Sequence, residues 1–141
     1  MRKVILVVIF IISILLFYAK SNAVQWEHLA SRGVYVYYYD LDDIQHLSEM
    51  TIQVILKQTY KDKDSVKQFF QKYAAKDESI ELEDHSISTM VINCADNIVG
   101  VKSIISYKMS GEMILNTNYN KIYYLYIPSG SIYKALYDEV C

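Results

Sequence analysis

The stretch MTIQVILKQTY, residues 50–60, indicates the fold class because its apolar and polar side chains alternate. Successive side chains of a β-strand point to opposite sides, so this alternation is typical of a strand that buries one face. The apolar set comprises Ile52, Val54, Leu56 and Tyr60, and the polar set comprises Thr51, Gln53, Lys57 and Thr59. Ile55 and Gln58 break the pattern. We predict a half-buried strand here.

The same alternation recurs along much of the remaining chain. Residues 98–109 place apolar side chains on one side, opposite Lys102, Ser106 and Lys108. Shorter runs of β-forming residues lie at 24–29, 34–40, 87–94, 112–118 and 123–127. Short polar turns separate these runs, and short connections favour antiparallel neighbours over crossover units. The pattern predicts an antiparallel meander.

Two segments change to the 3.6-residue period of an amphipathic helix. The first is a short helix near residues 65–76, with Asp64 or Ser65 as its N-cap and apolar side chains at Val66, Phe69, Phe70, Tyr73 and Ala74. The second follows Pro128, with Ser129 or Ser131 as its N-cap and a wide apolar face made of Ile132, Tyr133, Leu136, Tyr137, Val140 and Cys141. Such a face suits a helix that lies across a sheet. Strands and helices together predict an α+β fold.

The first 23 residues carry the features of a secretory signal peptide. Arg2 and Lys3 precede an apolar run over residues 4–18, and Ser21 and Ala23 are the small side chains expected before a cleavage site. The alternative is an uncleaved membrane anchor, although the run is shorter than the roughly 20 residues that cross a bilayer. We expect a signal peptide over residues 1–23 and one domain over residues 24–141. No cysteine stands near the junction, so we expect no lipid anchor at an N-terminal cysteine.

The charge of the mature chain disfavours two classes of partner. Cleavage removes Arg2, Lys3 and Lys20, which lowers the basic count from 14 to 11, while all 16 acidic residues remain. The net charge is then about −5. Nucleic acid is a poor partner for such a chain, and an anionic membrane does not attract it.

Export also affects how the two cysteines are interpreted, since disulfides persist in the periplasm and outside the cell. Cys94 follows a β-type run and Cys141 is the last residue, so one pairing is available. The alternative is a pair of free or redox-active thiols, but no CxxC motif supports it. We predict a Cys94–Cys141 disulfide.

No residue pattern in the sequence points to catalysis. His28, His46 and His85 are far apart and match no zinc spacing. Neither a GxSxG turn nor a phosphate-binding glycine loop is present. The acidic turn at residues 40–43 lacks the glycine and the later glutamate of a calcium loop, and aspartates are common in turns. We expect no catalytic residue, cofactor, metal or small-molecule substrate.

The tyrosine-rich stretch GVYVYYYDLDDI, residues 33–44, predicts a contact surface. If Val34, Val36 and Tyr38 face the C-terminal helix, alternation places the other tyrosines on an uncovered face. The candidate partner surface consists of one row, Tyr35, Tyr37 and Tyr39, and of Tyr124 and Tyr126, which form a second row on the same face if Tyr123, Leu125 and Ile127 point inward. Tyrosine suits such a surface because it combines a large rigid ring with a hydroxyl that tolerates water. The alternative is that the helix with Phe69 and Phe70 folds over these tyrosines.

The order of these features resembles the surface-adhesin protein E domain family of Gram-negative bacteria. The stretches that carry the resemblance are WEHLASRGVYVYYYDLDDI, STMVINC and IPSGSIYKALYDEVC. The matching positions are Trp26, Gly33, Tyr39, Asp40, Ile44, Cys94, Pro128, Gly130, Ser131 and Cys141. Two departures are the missing lipidated cysteine and the segment 62–85, which is longer than the loop expected there and carries the first helix.

The resemblance implies a single antiparallel sheet of about six strands, with the C-terminal helix packed on one face and tied by the disulfide. It also implies a secreted, non-enzymatic binding module in the periplasm or at the outer surface of a Gram-negative bacterium. The expected partner is a protein, such as a host extracellular-matrix protein, held through the sheet surface. The alternative function is a small envelope structural protein that acts as a homodimer.

Overall fold

The fold is built on one antiparallel sheet. In a computed structural model that describes residues 24–73 and 83–141, the sheet has eight strands and is accompanied by two helices. The elements are β1 (Trp26–Arg32), β2 (Tyr35–Asp40), β3 (Gln45–His46), β4 (Thr51–Tyr60), α1 (Lys63–Tyr73), β5 (Glu83–Asn93), β6 (Ile98–Lys108), β7 (Met113–Asn118), β8 (Tyr124–Tyr126) and α2 (Ile132–Val140). The predicted signal peptide lies outside the described residues.

The strand order is β1-β2-β4-β5-β6-β7, and all neighbours are antiparallel. Two short strands complete it: β3 pairs with β4, and β8 pairs with β6. The prediction of a single antiparallel sheet is therefore confirmed, with six strands along its main path. The two short strands add to the ends of β4 and β6, where β2 and β7 do not reach.

The core lies between this sheet and α2. Val54, Met90 and Ile92 are fully or almost fully buried on one face of β4 and β5, and Leu136 of α2 is buried against them. Register explains the alignment, because Val54 is paired with Met90 across the two strands and paired residues point the same way. We call this side of the sheet the helix face and the other side the opposite face. The predicted half-buried strand and the predicted packing of the C-terminal helix are confirmed.

The start and the end of α2 are both held in place. Ser131 is the N-cap, since its hydroxyl accepts a hydrogen bond of 3.1 Å from the Lys134 amide. At the other end Cys141 forms the predicted disulfide with Cys94, with Cα atoms 5.7 Å apart. The Tyr137 hydroxyl adds a hydrogen bond of 2.9 Å to the Cys94 carbonyl. The last turn of the helix is thus joined to the end of β5 by one covalent bond and one hydrogen bond.

Helix α1 begins two residues before the predicted start. Its N-cap is Asp62, not Asp64 or Ser65, because the Asp62 carboxylate accepts a hydrogen bond of 3.1 Å from the Asp64 amide. Asp62, Asp64 and Ser65 are all capping residues and lie within four positions, so only the position of the first turn distinguishes them. Residues 74–76 of the predicted helix and the side chains of Phe69 and Phe70 lie outside what the structure describes.

An ion pair joins the start of α1 to β5. The Asp84 carboxylate contacts the Lys63 ammonium and lies 2.8 Å from Nδ1 of His85. Desolvation by burial would raise the pKa of Asp84, but the hydrogen bonds from Lys63 and His85 outweigh it and lower the pKa below 3.8. The ionised carboxylate is therefore favoured in the folded state.

Asp84 should make stability depend on pH in the acid range. Its pKa is lower in the folded than in the unfolded state, so its contribution is present above the unfolded value of 3.8 and is lost as the pH falls through the folded value. We expect Asp84→Asn to lower the melting temperature at neutral pH, and this difference to shrink below the folded pKa. Thermal unfolding followed by circular dichroism across this range measures both. Glu49→Gln, on an exposed turn, is the control. An Asp84→Asn difference that is constant with pH would contradict the assignment.

Candidate partner-binding surface

The tyrosines of β2 lie on the helix face, which corrects the sequence-based expectation. Tyr39 is paired with Leu56, is only 5% exposed and belongs to the core cluster that includes Leu136. Tyr37 packs against the same cluster. By alternation Val36 and Tyr38 point to the opposite face, away from α2. The predicted alternation is correct, but α2 packs on the side of Tyr37 and Tyr39 and not on the side of Val36 and Tyr38.

The electrostatic surroundings of these tyrosines agree with this placement. Burial is the main cause that raises the pKa of Tyr39, and the carboxylate of Glu139 in α2 adds to it. Burial likewise raises the pKa of Tyr37, with contributions from Tyr35 and from Tyr133 in α2. Helix residues are thus close to both rings. Tyr39 cannot contact a partner while α2 is packed on the sheet.

Tyr35 forms an aromatic cluster with its neighbours at the far end of β2. Its ring centroid lies 5.2 Å from that of Tyr60 and 6.4 Å from that of Tyr37. Burial, the nearby Tyr35 and a hydrogen bond with Tyr35 raise the pKa of Tyr60 to about 12. Tyr35 is half-buried in this cluster. Of the three β2 tyrosines on the helix face, Tyr35 is therefore half-buried and Tyr39 belongs to the core.

Tyr124 and Tyr126 are exposed, but they do not share a face with the β2 tyrosines. Tyr124 is paired with Gly100 of β6, which is paired with Val91 of β5. Val91 points away from the helix face because its neighbours Met90 and Ile92 point towards it. Tyr124 and Tyr126 consequently lie on the opposite face, and Tyr126 is 81% exposed. The two predicted rows of tyrosines therefore do not share a face.

Strand β8 presents apolar side chains on both faces. Tyr123 and Leu125 are each 71% exposed, and Leu125 is paired with Val99 on the helix face. They border an apolar groove of about 150 Å³ that is also lined by Met90, Val99, Gly100, Val101, Tyr126, Pro128 and Tyr133. We call Tyr123, Tyr124, Leu125 and Tyr126 the β8 edge. An exposed apolar patch on a folded domain is typical of an interaction site.

Gly100 brings β8 close to β6. A Cβ atom at this position would lie 2.3 Å from Cγ2 of Ile122 and 3.1 Å from the Tyr123 carbonyl oxygen. A larger residue would therefore require the Ile122 side chain to move and the backbone at Tyr123 to shift slightly. On its other side β8 has no paired strand among the residues that the structure describes. The β8 edge therefore combines exposed apolar side chains with an edge backbone that can accept a further strand.

Sequence reasoning missed Tyr123 and Leu125 as surface residues. The run YYLYI, residues 123–127, is apolar at every position, and we expected Tyr123, Leu125 and Ile127 to point inward. Leu125 does point to the helix face, but among these three side chains only Ile127 is buried, at 5% exposure. A strand whose side chains are apolar on both faces is buried only if other elements pack on both faces, and the sequence predicted no element that would pack on the second face here. The apolar side chains without a predicted packing partner were the signal that this run could be exposed.

The acidic turn after β2 has a structural role. Asp40 is buried, and its Oδ1 accepts a hydrogen bond of 3.0 Å from the Asp42 amide, as predicted for an aspartate turn. Oδ1 of Asp43 accepts a bond from the side-chain amide of Gln45. Among residues 24–73 and 83–141, no group of three or more His, Cys, Asp or Glu side chains is arranged to hold a metal ion. Neither helix in the described part of the chain is long and apolar enough to cross a membrane.

Protein E of Haemophilus influenzae, in its crystal form II, has a similar fold. The match covers 80% of this chain and 91% of that chain, with a TM-score of 0.50 and 13% sequence identity. No protein-family model matches the chain, and no curated protein does. At this identity the likeness establishes the fold. It confirms the resemblance to protein E at that level.

Proposed function

We propose that this chain is an exported, non-enzymatic binding module that holds a protein partner at the β8 edge. The observation that carries the proposal is the exposure of four consecutive large side chains, two of them at 71% and one at 81%. Buried aromatic anchors supply most of the binding energy of protein interfaces, and exposed rings on a rigid strand are suited to become such anchors. The protein E fold and the sequence resemblance to surface adhesins support the same function.

The proposed location is the periplasm or the outer surface of a Gram-negative bacterium. The Cys94–Cys141 disulfide supports export, because such bonds persist in oxidising compartments. The signal-peptide features of residues 1–23 support it further. For a surface location we propose a host extracellular-matrix protein as the partner, on the strength of the adhesin resemblance alone.

Substitutions at the β8 edge test the proposal. We expect Leu125→Ser together with Tyr126→Ser to weaken binding to immobilised extracellular-matrix proteins by at least about tenfold, since both side chains would lose their contact area. Surface plasmon resonance measures the affinity. Stability should change by no more than about 0.5 kcal/mol, because both residues are exposed. Val34→Ser with Leu47→Ser, also exposed and remote in sequence, is the matched control.

Two results would count against this assignment. Equal affinity for the β8-edge variant and the control variant would show that the partner uses another surface. A loss of monomer stability in the β8-edge variant would show that these side chains contribute to the fold instead.

A second candidate function is a homodimer in the cell envelope. The specific observation that favours it is the edge of β8, where a second copy can add its own strand to the sheet. Sedimentation velocity of the exported protein separates the two functions. A dimer that Leu125→Ser with Tyr126→Ser converts to a monomer, with no binding to matrix proteins, favours the second candidate.

A further inference from the structure

A second surface feature lies at the C-terminal end of β4, beside β1 and β2. It is a cavity of about 380 Å³, lined by Trp26, Tyr38, Lys57, Thr59, Tyr60, Lys61 and Lys63. Among these seven described residues, three are lysines, three are aromatic and none is acidic. The volume falls in the range of small-ligand sites, about 300–1,000 Å³. Its distance along the sheet from β8 makes it independent of the proposed partner surface.

Strand register brings the aromatic and basic side chains of this cavity together. Tyr38 of β2 is paired with Lys57 of β4, so both point to the opposite face of the sheet. Trp26 of β1 is paired with Asp40 and points the same way, and its ring lies 5.2 Å from Nζ of Lys57. The geometry is that of a cation–π contact, which holds the ammonium against the indole.

The other two lysines lie just after β4, with Lys61 in the link to α1 and Lys63 in the first turn of α1. The Lys61 amide donates a hydrogen bond of 2.8 Å to the Val34 carbonyl, which holds the chain beside β2. Lys63 is the first residue of α1 and pairs with Asp84. Lys57 and Lys61 have no acidic partner among the ion pairs of the described residues. A locally basic site thus stands on a chain whose mature net charge is about −5.

We propose that this cavity binds an acidic saccharide unit, namely a hexuronate or a sulfated hexose of a glycan. Lysine ammonium groups bind carboxylate and sulfate oxygens through charge-assisted hydrogen bonds. Lys57 covers one face of the Trp26 ring, so the other face of Trp26 and the ring of Tyr38 are the surfaces that can stack against the flat, weakly polar C–H face of a pyranose. The combination of an aromatic wall with two unpaired cations matches a ring that carries an anionic group.

The backbone around the cavity favours a saccharide over an acidic peptide. β2 is paired with β1 and β4, and β4 is paired with β2 and β5, so the amides and carbonyls beneath the cavity are used within the sheet. β1 is an edge strand, but its outer backbone groups lie in the plane of the sheet and not over the face that carries the cavity. A ligand is therefore held by side chains alone. An extended peptide binds best where edge amides are free, whereas a sugar ring needs only a stacking surface and polar side chains.

The single tryptophan of the chain makes the test direct, because Trp26 lines the cavity. The exported protein is titrated with a heparin-derived tetrasaccharide while tryptophan fluorescence is recorded. We expect a saturable change in emission that weakens as salt is added, since salt screens exposed charges. Lys57→Gln and Lys61→Gln should each lower the affinity about tenfold, the usual loss for one charge-assisted hydrogen bond. Lys121→Gln, a lysine near the β8 edge, should leave the affinity unchanged.

Further titrations distinguish the ligand classes. A neutral maltotetraose should cause no saturable change, and sodium sulfate at matched sulfate concentration should cause a much weaker one. Circular dichroism melting shows that each variant is folded. The proposal is overturned by the absence of saturation with the tetrasaccharide, by equal losses in all three lysine variants, or by tighter binding of a glutamate-rich peptide of the same charge. None of these results bears on the β8 edge, so the proposed function is tested separately.

Discussion

Replacing Cys141 by serine is expected to lower the free energy of unfolding by about 2–5 kcal/mol, the usual range for a native disulfide in a small exported domain. The bond joins residues 47 positions apart and attaches the last turn of α2 to the end of β5. Without it, only noncovalent contacts hold the helix that covers the core. In the chain-entropy account, the unfolded chain also gains the freedom that the closed loop removed. Urea unfolding monitored by circular dichroism measures the change.

Two controls identify the disulfide as the cause. Cys94→Ser should have the same effect as Cys141→Ser, and the double variant should be no less stable than either single one, because all three remove one bond. Tyr137→Phe removes the nearby hydrogen bond to the Cys94 carbonyl and should cost only about 1 kcal/mol. Two reactive thiols in the exported, denatured and unreduced protein would contradict the prediction. So would a melting temperature that is the same with and without reductant.

Leu136→Ala is the second substitution with a large expected effect, a loss of about 2–5 kcal/mol. Leu136 is fully buried and packs in the core cluster with Val54, Met90 and Ile92. The alanine variant loses buried apolar surface and leaves a cavity, because a β-sheet with paired strands cannot close up around the missing atoms. Urea unfolding measures the loss. If the dependence of the unfolding free energy on urea concentration is the same as in the wild type, the substitution has changed the stability of the folded core and not the compactness of the unfolded chain.

Exposed residues of the same helix supply the comparison. Asp138→Ala removes an exposed ion pair with Lys134 and should change stability by no more than about 0.5 kcal/mol. Because Leu136 and Cys141 both hold α2 on the sheet, their effects should not be additive: once the helix is detached, the second substitution has less to remove. A Leu136→Ala variant as stable as Asp138→Ala would show that α2 is not part of the core.

Much of the fold could be predicted because its signals are local. Period-2 alternation over residues 50–60 requires a strand with one buried face, and Ile52, Val54 and Leu56 are indeed buried. The C-terminal helix was predictable from its 3.6-residue period, and its cap was narrowed to two serines. The disulfide followed from the presence of only two cysteines together with signs of export. Each of these conclusions depends on neighbouring residues or on a simple count.

The orientation of the tyrosines was decided only by the tertiary structure. Alternation states that Tyr35, Tyr37 and Tyr39 share a face, but either face of a strand can meet a helix. The choice was made by register, since Tyr39 is paired with Leu56, which already lies on the helix face. Tyrosine is compatible with both outcomes, because its ring can be buried and its hydroxyl can reach water or a partner.

Both candidate sites likewise depend on contacts between residues distant in sequence. The β8 edge exists because Gly100 admits the segment before β8 at the end of β6, while no described strand pairs with its outer side. The basic cavity exists because pairing of β1, β2 and β4 brings Trp26 close to Lys57. The sequence by itself determined the elements, their periods and the disulfide, because these follow from local geometry. Only the tertiary structure decided which face was covered and which side chains met, because strand register and helix placement are set by the packing of the whole core.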